Sequence, residues 1–216
     1  MVASIKNNLE KVREEIRTAA ENCGRRVEEI LLVAVTKTRT IEEIKEAASL
    51  GLTPVGENRV QELVEKRELW PGSGALEWRL IGHLQRNKAR KALAAAAAID
   101  SLDSPQLAST LSRIAAEEGK TVPVLLEVNT SGEASKNGID PCKAEGLLDW
   151  VLENCPSLRP EGFMTIGPLG GGEREVRRSF ALLRSVCEAA RARTGLPLPE
   201  LSMGMTQDFE AAVEQG

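Results

Sequence analysis

The chain has 216 residues, enough for one sizeable core and short for two. Its 42% hydrophobic and 28% charged residues are the make-up of an ordinary soluble globular protein. No apolar run approaches a membrane span and the N-terminus has no apolar signal region, while a net charge of −4, one histidine, four scattered cysteines without a CxxC pair and no tyrosine argue against nucleic acid, a metal cluster or an aromatic stacking platform.

In chain order, the first predicted element is an amphipathic helix over 4–23, with Ile5, Leu9, Val12 and Ile16 on one face and Gly24 as its stop. Residues 31–35 are an uninterrupted aliphatic run and read as a strand buried on both faces. Thr40, with Glu43 three positions on, is a capping box that opens a helix carrying Ile41, Ile44 and Ala48 inward and ending at Gly51. Lys37 therefore sits at the C-terminal end of a strand, the end where parallel α/β proteins build active sites.

A short second strand is expected over 52–56, a helix from about Val60, a turn at PGSG (71–74) and a third strand over 77–82, after which His83 opens a loop and helix. Propensity would carry that helix through the alanines of 93–99. Ser104 as N-cap and Pro105 at the first helical position start another helix so soon that a fourth strand is placed over 97–102 instead. Residues 122–129, VPVLLEVN, are a strand, and 130–138 a polar loop before a helix capped by Asp140 and Pro141. A sixth strand lies within 158–166, and the GPLGGGE loop after it carries no dinucleotide-binding pattern. A long helix with Val176, Phe180, Leu183, Val186 and Ala190 inward ends at Gly195; 199–203 is a seventh strand, and Thr206 or Asp208 caps the last helix.

Strand–helix alternation without a composition shift predicts one domain over 1–216, a parallel sheet covered by helices. Seven such units after a leading helix favour a (β/α)8 barrel of the TIM type over an open sheet, one strand short, although such barrels usually run to roughly 250 residues.

Lys37 has two readings: a solvated loop lysine, or a nucleophilic amine of the Schiff-base kind, which needs an apolar wall that lowers its pKa. In LSMGMTQDF, the small residues Ser202, Gly204 and Thr206 precede a helix N-terminus and make a plausible anion site, or an ordinary turn. Together they suit a carbonyl compound that bears a phosphate. The cluster Arg86, Lys88, Arg90 and Lys91 reads as a solvated helix face. His83 reads as a packing or capping residue, Asn58 as a helix cap or a pocket residue, and Glu57 as a partner for a basic rim residue.

The segments AVTKTRTIEEIKEA, VGENRVQE, WRLIGHLQRNK, EVNTSGEASKNGI, GFMTIG and LSMGMTQDFEAA, in this order and spacing, resemble the pyridoxal phosphate homeostasis proteins, small relatives of the alanine racemase barrel domain. The resemblance covers nearly the whole chain. It implies an alanine racemase N-terminal-domain-like (β/α)8 barrel that holds the vitamin B6 cofactor pyridoxal 5′-phosphate as a Schiff base on Lys37 and hands it on. By the same resemblance Ser202, Met203, Gly204 and Thr206 bind the phosphate, Asn58 lies in the pocket wall, and Lys136 reaches towards the mouth.

Efficient turnover is not expected, because the racemases of this fold use a tyrosine on the face opposite the lysine and this chain has none. The alternatives are an amino-acid racemase or decarboxylase of the same fold, or an RNA-associated or protein-interaction module on the Arg86–Lys91 face. Expected partners are the cofactor and pyridoxal-phosphate-dependent apoenzymes, without metal, membrane or nucleic acid. The expected setting is the cytoplasm, as a monomer or weak homodimer with free thiols. The resemblance also implies an eighth strand with an Arg-Ile-Gly-Thr segment beyond position 216, completing the phosphate site. Without it an open seam between strands one and seven is expected, with weaker cofactor binding and solubility.

Overall fold

The computed structural model describes residues 4–70 and 76–216, so the turn expected at 71–74 lies outside the described residues. The elements alternate as α1 (Ile5–Asn22), β1 (Ala34–Val35), α2 (Ile41–Ser49), β2 (Pro54–Glu57), α3 (Val60–Leu69), β3 (Glu77–Leu80), α4 (Ala89–Ala95), β4 (Ala98–Leu102), α5 (Pro105–Glu117), β5 (Val122–Glu127), α6 (Ala144–Asn154), β6 (Leu158–Met164), α7 (Glu173–Thr194), β7 (Glu200–Ser202) and α8 (Phe209–Gln215). Local chemistry sets many of the boundaries. Ser4 accepts the Asn7 amide at the start of α1, and Thr40 and Glu43 form the reciprocal capping box of α2. Ser104 caps α5 ahead of Pro105, and Gly195, at φ 71°, ends α7. The fourth strand falls at Ala98–Leu102, inside the predicted span, because Ala96 turns extended after α4.

The seven strands pair in chain order, all parallel, as helical crossovers require. One face of the sheet packs Val55, Leu80, Ile99, Val124, Leu126 and Phe163 against Leu63, Leu93, Leu107, Leu111, Leu148 and Leu183 of the helices. The other face carries charge. Arg79 on β3 donates to Asp100 on β4 through Nε (2.9 Å) and Nη2 (3.1 Å), to Glu77 (2.8 Å), and to Glu200 on β7 (2.6 Å). A side chain on the third strand reaches the seventh only when the sheet is curled, so the layout is that of a TIM-type barrel with seven strands in place.

Among the described residues β1 and β7 are the sheet's edges. Helices span the gap between them: Val213 of α8 packs on Ile16, Ala19 and Ala20 of α1, and Arg25 donates to the Val213 carbonyl at 2.8 Å. The expectation that 31–35 is a strand buried on both faces is overturned. Only Ala34 and Val35 pair, and Leu31 and Val35 are 58% and 48% exposed, because an edge strand has a neighbour on one side alone. On α2 it is Ala47, not Ala48, that is buried beside Ile44. The last helix has Asp208 at its N-cap, but the carboxylate accepts the Met205 amide and not one of the helix's own first-turn amides.

Arg79→Met should destabilise the fold by about 3–5 kcal/mol, because it leaves the Asp100 carboxylate buried without its counter-charge. Urea unfolding of the two proteins measures it; a loss under about 1 kcal/mol would show that the cluster does not hold the curl.

Candidate functional site

The C-terminal ends of the strands form one rim, and Lys37 stands on it in the turn after β1. Its neighbours are tied down. Thr36, buried, donates to Glu57 Oε1 at 2.6 Å. Lys66 of α3 donates to Glu57 Oε1 (2.7 Å), Glu62 Oε1 (2.7 Å) and the Thr36 carbonyl (2.5 Å). The Thr38 amide donates to Glu62 Oε1 at 2.5 Å. Thr38 has φ 63°, a left-handed value that a β-branched residue keeps only where its surroundings impose it. The Lys66 hydrogen bond holds the Glu62 carboxyl below its usual range. Lys37 is thus mounted between two anchored threonines, but its own side chain is exposed, not enclosed by the apolar wall that the nucleophilic reading expected, and makes no hydrogen bond or ion pair among the described residues. Glu57 pairs with a base on the helix behind the sheet, not with one on the rim.

Asn58 follows β2, exposed and without a side-chain partner among the described residues. Arg59, not Asn58, occupies the N-cap of α3, and makes no side-chain cap bond, so the capping reading of Asn58 falls. Gly82 holds the backbone there: a Cβ at 82 would stand 2.3 Å from the Asn58 carbonyl oxygen.

After β7, the Ser202 carbonyl accepts the Thr165 amide (3.0 Å) and Met203 packs against Val176, Phe180, Ala211 and Ala212. Gly204 has φ 86° and no room for a side chain, since its Cβ would meet that of Ala212 at 2.7 Å. The Met205 amide is taken by Asp208 at 2.5 Å. The amides of Gly204, Thr206 and Gln207 and the hydroxyls of Ser202 and Thr206 have no partner among the described residues. That donor set suits the oxygens of a phosphate.

Lys136 does not project freely into the mouth. It donates to the Gly167 carbonyl at 2.5 Å and pairs with Glu133 at 3.1 Å, tying the loop after β5 to the loop after β6. His83 Nδ1 lies 3.2 Å from Asp103 Oδ2, linking the ends of β3 and β4. In the basic cluster Arg90 pairs with Glu117 and Glu118, while Arg86 and Lys91 are exposed. Among the described residues no group of three or more His, Cys, Asp and Glu is placed to hold a metal, and no helix is long and apolar enough to cross a membrane.

One rim residue was missed from the sequence. Glu127, the last residue of β5, is 4% exposed and its Oε2 has no partner. Burial, and then the nearby Asp103 charge, push its carboxyl up to about 7. The signal was a single carboxylate inside the otherwise apolar run VPVLLEVN.

The family model for the alanine racemase N-terminal domain matches residues 5–215. The pyridoxal phosphate homeostasis protein of Aquifex aeolicus (strain VF5) is 38% identical over 208 residues, 96% of this chain and 90% of that one. Among solved structures, an unknown protein from Bifidobacterium adolescentis superposes with a TM-score of 0.90 at 38% identity, covering 97% of this chain and 89% of that one. PipY of Synechococcus elongatus PCC7942, solved with PLP bound, gives a TM-score of 0.81 at 34% identity over 94% of each chain.

Two outcomes follow from the site's charges. Lys66→Met should cost about 3–5 kcal/mol by stranding Glu57, and should speed hydrogen exchange at the Thr38 amide, which loses the clamp on Glu62. Unchanged exchange at Thr38 would show that the network does not position the turn. For Glu127, the folded protein holds the proton up to about pH 7 while the unfolded chain releases it near the ordinary 4.5. Stability from this group is therefore intact below pH 4.5, falls as pH rises to about 7, and stays low above that. Glu127→Gln should remove a loss on the order of 3 kcal/mol from the pH–stability curve over that window; identical slopes in the two proteins would refute it.

Proposed function

The chain belongs to the alanine racemase N-terminal-domain family, among the pyridoxal phosphate homeostasis proteins, and we propose from that premise that it holds pyridoxal 5′-phosphate and hands it on. The observation that carries the reading is the free amine of Lys37, fixed between two anchored threonines, on the same rim as the unpartnered donors that follow β7. The residues fit the group: an amine for the aldehyde, the Ser202 and Thr206 hydroxyls and the Gly204 and Thr206 amides for the phosphate, and Asn58 and Met203 in the surrounding wall. PipY, which shares the fold and 34% of the sequence, carries PLP, and this supports the same ligand here.

Bound pyridoxal phosphate supplies an aldehyde that a lysine amine can hold covalently. Lys37 supplies that amine, and its exposure lets water and other amines reach the rim, which favours exchange over protected carbanion chemistry. Racemisation needs an acid/base group on each face of the substrate, and a chain without tyrosine has no phenol to offer opposite Lys37. We therefore read the protein as a carrier and not as an efficient enzyme, acting in the cytoplasm as one domain, monomeric or weakly dimeric, with pyridoxal-phosphate-dependent apoenzymes as recipients.

Borohydride reduction in the presence of the cofactor, followed by peptide mapping, should put the pyridoxyl group on Lys37. A label on Lys136 or Lys45 with Lys37 unmodified would overturn the assignment. Ser202→Ala combined with Thr206→Val should weaken pyridoxal phosphate by roughly tenfold or more and pyridoxal much less. Equal losses for both ligands would remove the phosphate from this segment. This pair is a cleaner test than a side chain at Gly204, which would collide with Ala212 and disturb α8 whatever the ligand.

A further inference from the structure

Along β5, Val124, Leu126 and Val128 pack into the core beneath the helices, so the alternation turns Leu125 and Glu127 to the inner face of the curled sheet. Glu127 ends the strand at the rim, 4% exposed, with Oε2 unpartnered. Asp103, just after β4, is close enough to act on it, and His83 lies behind Asp103 at 3.2 Å. On the other side β6 presents Met164 in register with Glu127, and so brings no charge. No cation acts on Glu127: Arg79 is bonded to Asp100 and Glu200, Lys66 to Glu57 and Glu62, Lys136 to Glu133 and the Gly167 carbonyl, and Lys37 is exposed in the turn after β1. Once ionised, a buried carboxylate beside a second carboxylate has no base of its own to offset its charge.

We propose that Glu127 and Asp103 form a subsite for a primary ammonium group at the mouth of the sheet. Resting on the reading of the protein as a cofactor carrier, this ammonium is the amino group of the molecule that collects the cofactor. A metal ion is the poorer occupant, since no third ligand of the usual kinds joins the two carboxylates among the described residues. One free oxygen with a neighbouring charge also suits the compact ammonium better than the planar fork of a guanidinium. In the empty protein Glu127 keeps its proton near neutrality; a cation that arrives favours the ionised carboxylate, so binding expels that proton. The subsite thus receives the amine as a cation and has a carboxylate at hand to accept the proton that the amine must lose before it can act as a nucleophile.

The test titrates cofactor-free protein with n-butylammonium chloride, followed by ligand-observed NMR at pH 5.5 and 7.5. Wild type should bind about tenfold more tightly at the higher pH, as deprotonation of Glu127 requires. Glu127→Gln should bind at least about tenfold more weakly at pH 7.5 and lose the pH dependence. Asp103→Asn should bind more weakly, with the midpoint of its pH dependence moved down, because the like charge that holds the Glu127 proton is gone. Far-UV circular dichroism confirms that each variant is folded. Equal binding by wild type and Glu127→Gln, or affinity that rises as pH falls, overturns the subsite. Borohydride trapping on wild-type protein is scored separately: failure there removes the link to the cofactor and leaves the ammonium subsite standing.

Discussion

Arg79 is the interaction on which the rest of the architecture depends. Its guanidinium lies within the curl of the sheet and bonds to carboxylates on β4 and β7 as well as on its own strand. Parallel strands twist, but twist alone leaves open how far seven of them wrap round. A single fork that reaches from the third strand to the seventh sets that distance. It also sets where the strand ends lie, and so brings the turn carrying Lys37 to the same rim as 202–206. Such an interior needs its charges balanced, since each unpaired ion would cost several kcal/mol. Here Asp100 takes three of the guanidinium's bonds and Glu77 and Glu200 take one each.

A second charge network performs a local task. Glu57 ends β2, Lys66 and Glu62 lie one turn apart on α3, and the chain between them contains Asn58. The helix that follows β2 therefore clamps the turn that follows β1, one strand away. This is how an edge strand of two paired residues can position a reactive side chain: its neighbours' backbone is bonded to a buried ion pair, not only to the sheet. The left-handed backbone of Thr38 is the local strain that this clamp sustains.

What could be read from the sequence was what depends on near neighbours in the chain. The caps at Thr40 and Ser104 are short-range hydrogen bonds, and the fourth strand could be placed because Ser104 and Pro105 left no room for a longer helix. The burial of 31–35 could not be read correctly, since aliphatic composition does not reveal that a strand has only one neighbour. The Lys66 clamp was equally hidden: an i,i+4 Glu62–Lys66 pair looks like any surface pair until Glu57 is seen to arrive from behind. Lys37 and 202–206 follow β1 and β7 at the strand ends, as their sequence positions predicted, and Asn58, which the resemblance put in the pocket wall, follows β2. Glu127 was not legible as a rim residue because a single carboxylate in an apolar run does not show from the sequence whether it is buried or paired.

The two ends of the curled sheet differ in how completely their charges are satisfied. Deep in the curl the carboxylates on Arg79 are bonded to a guanidinium, and the arrangement favours stability. At the rim, Glu57 and Glu127 each keep one oxygen without a partner, and Glu127 lacks a base altogether. An unsatisfied buried carboxylate lowers stability, and replacement by an apolar residue would relieve that cost. A residue that the fold would be more stable without is explained by what it does when something else is bound. The same holds for the exposed amine of Lys37 and the bare amides after β7, which hydrate freely and contribute nothing to the core. The lower half of the sheet holds the structure together, and the upper half keeps the unpartnered groups on which the proposed cofactor and ammonium sites rest.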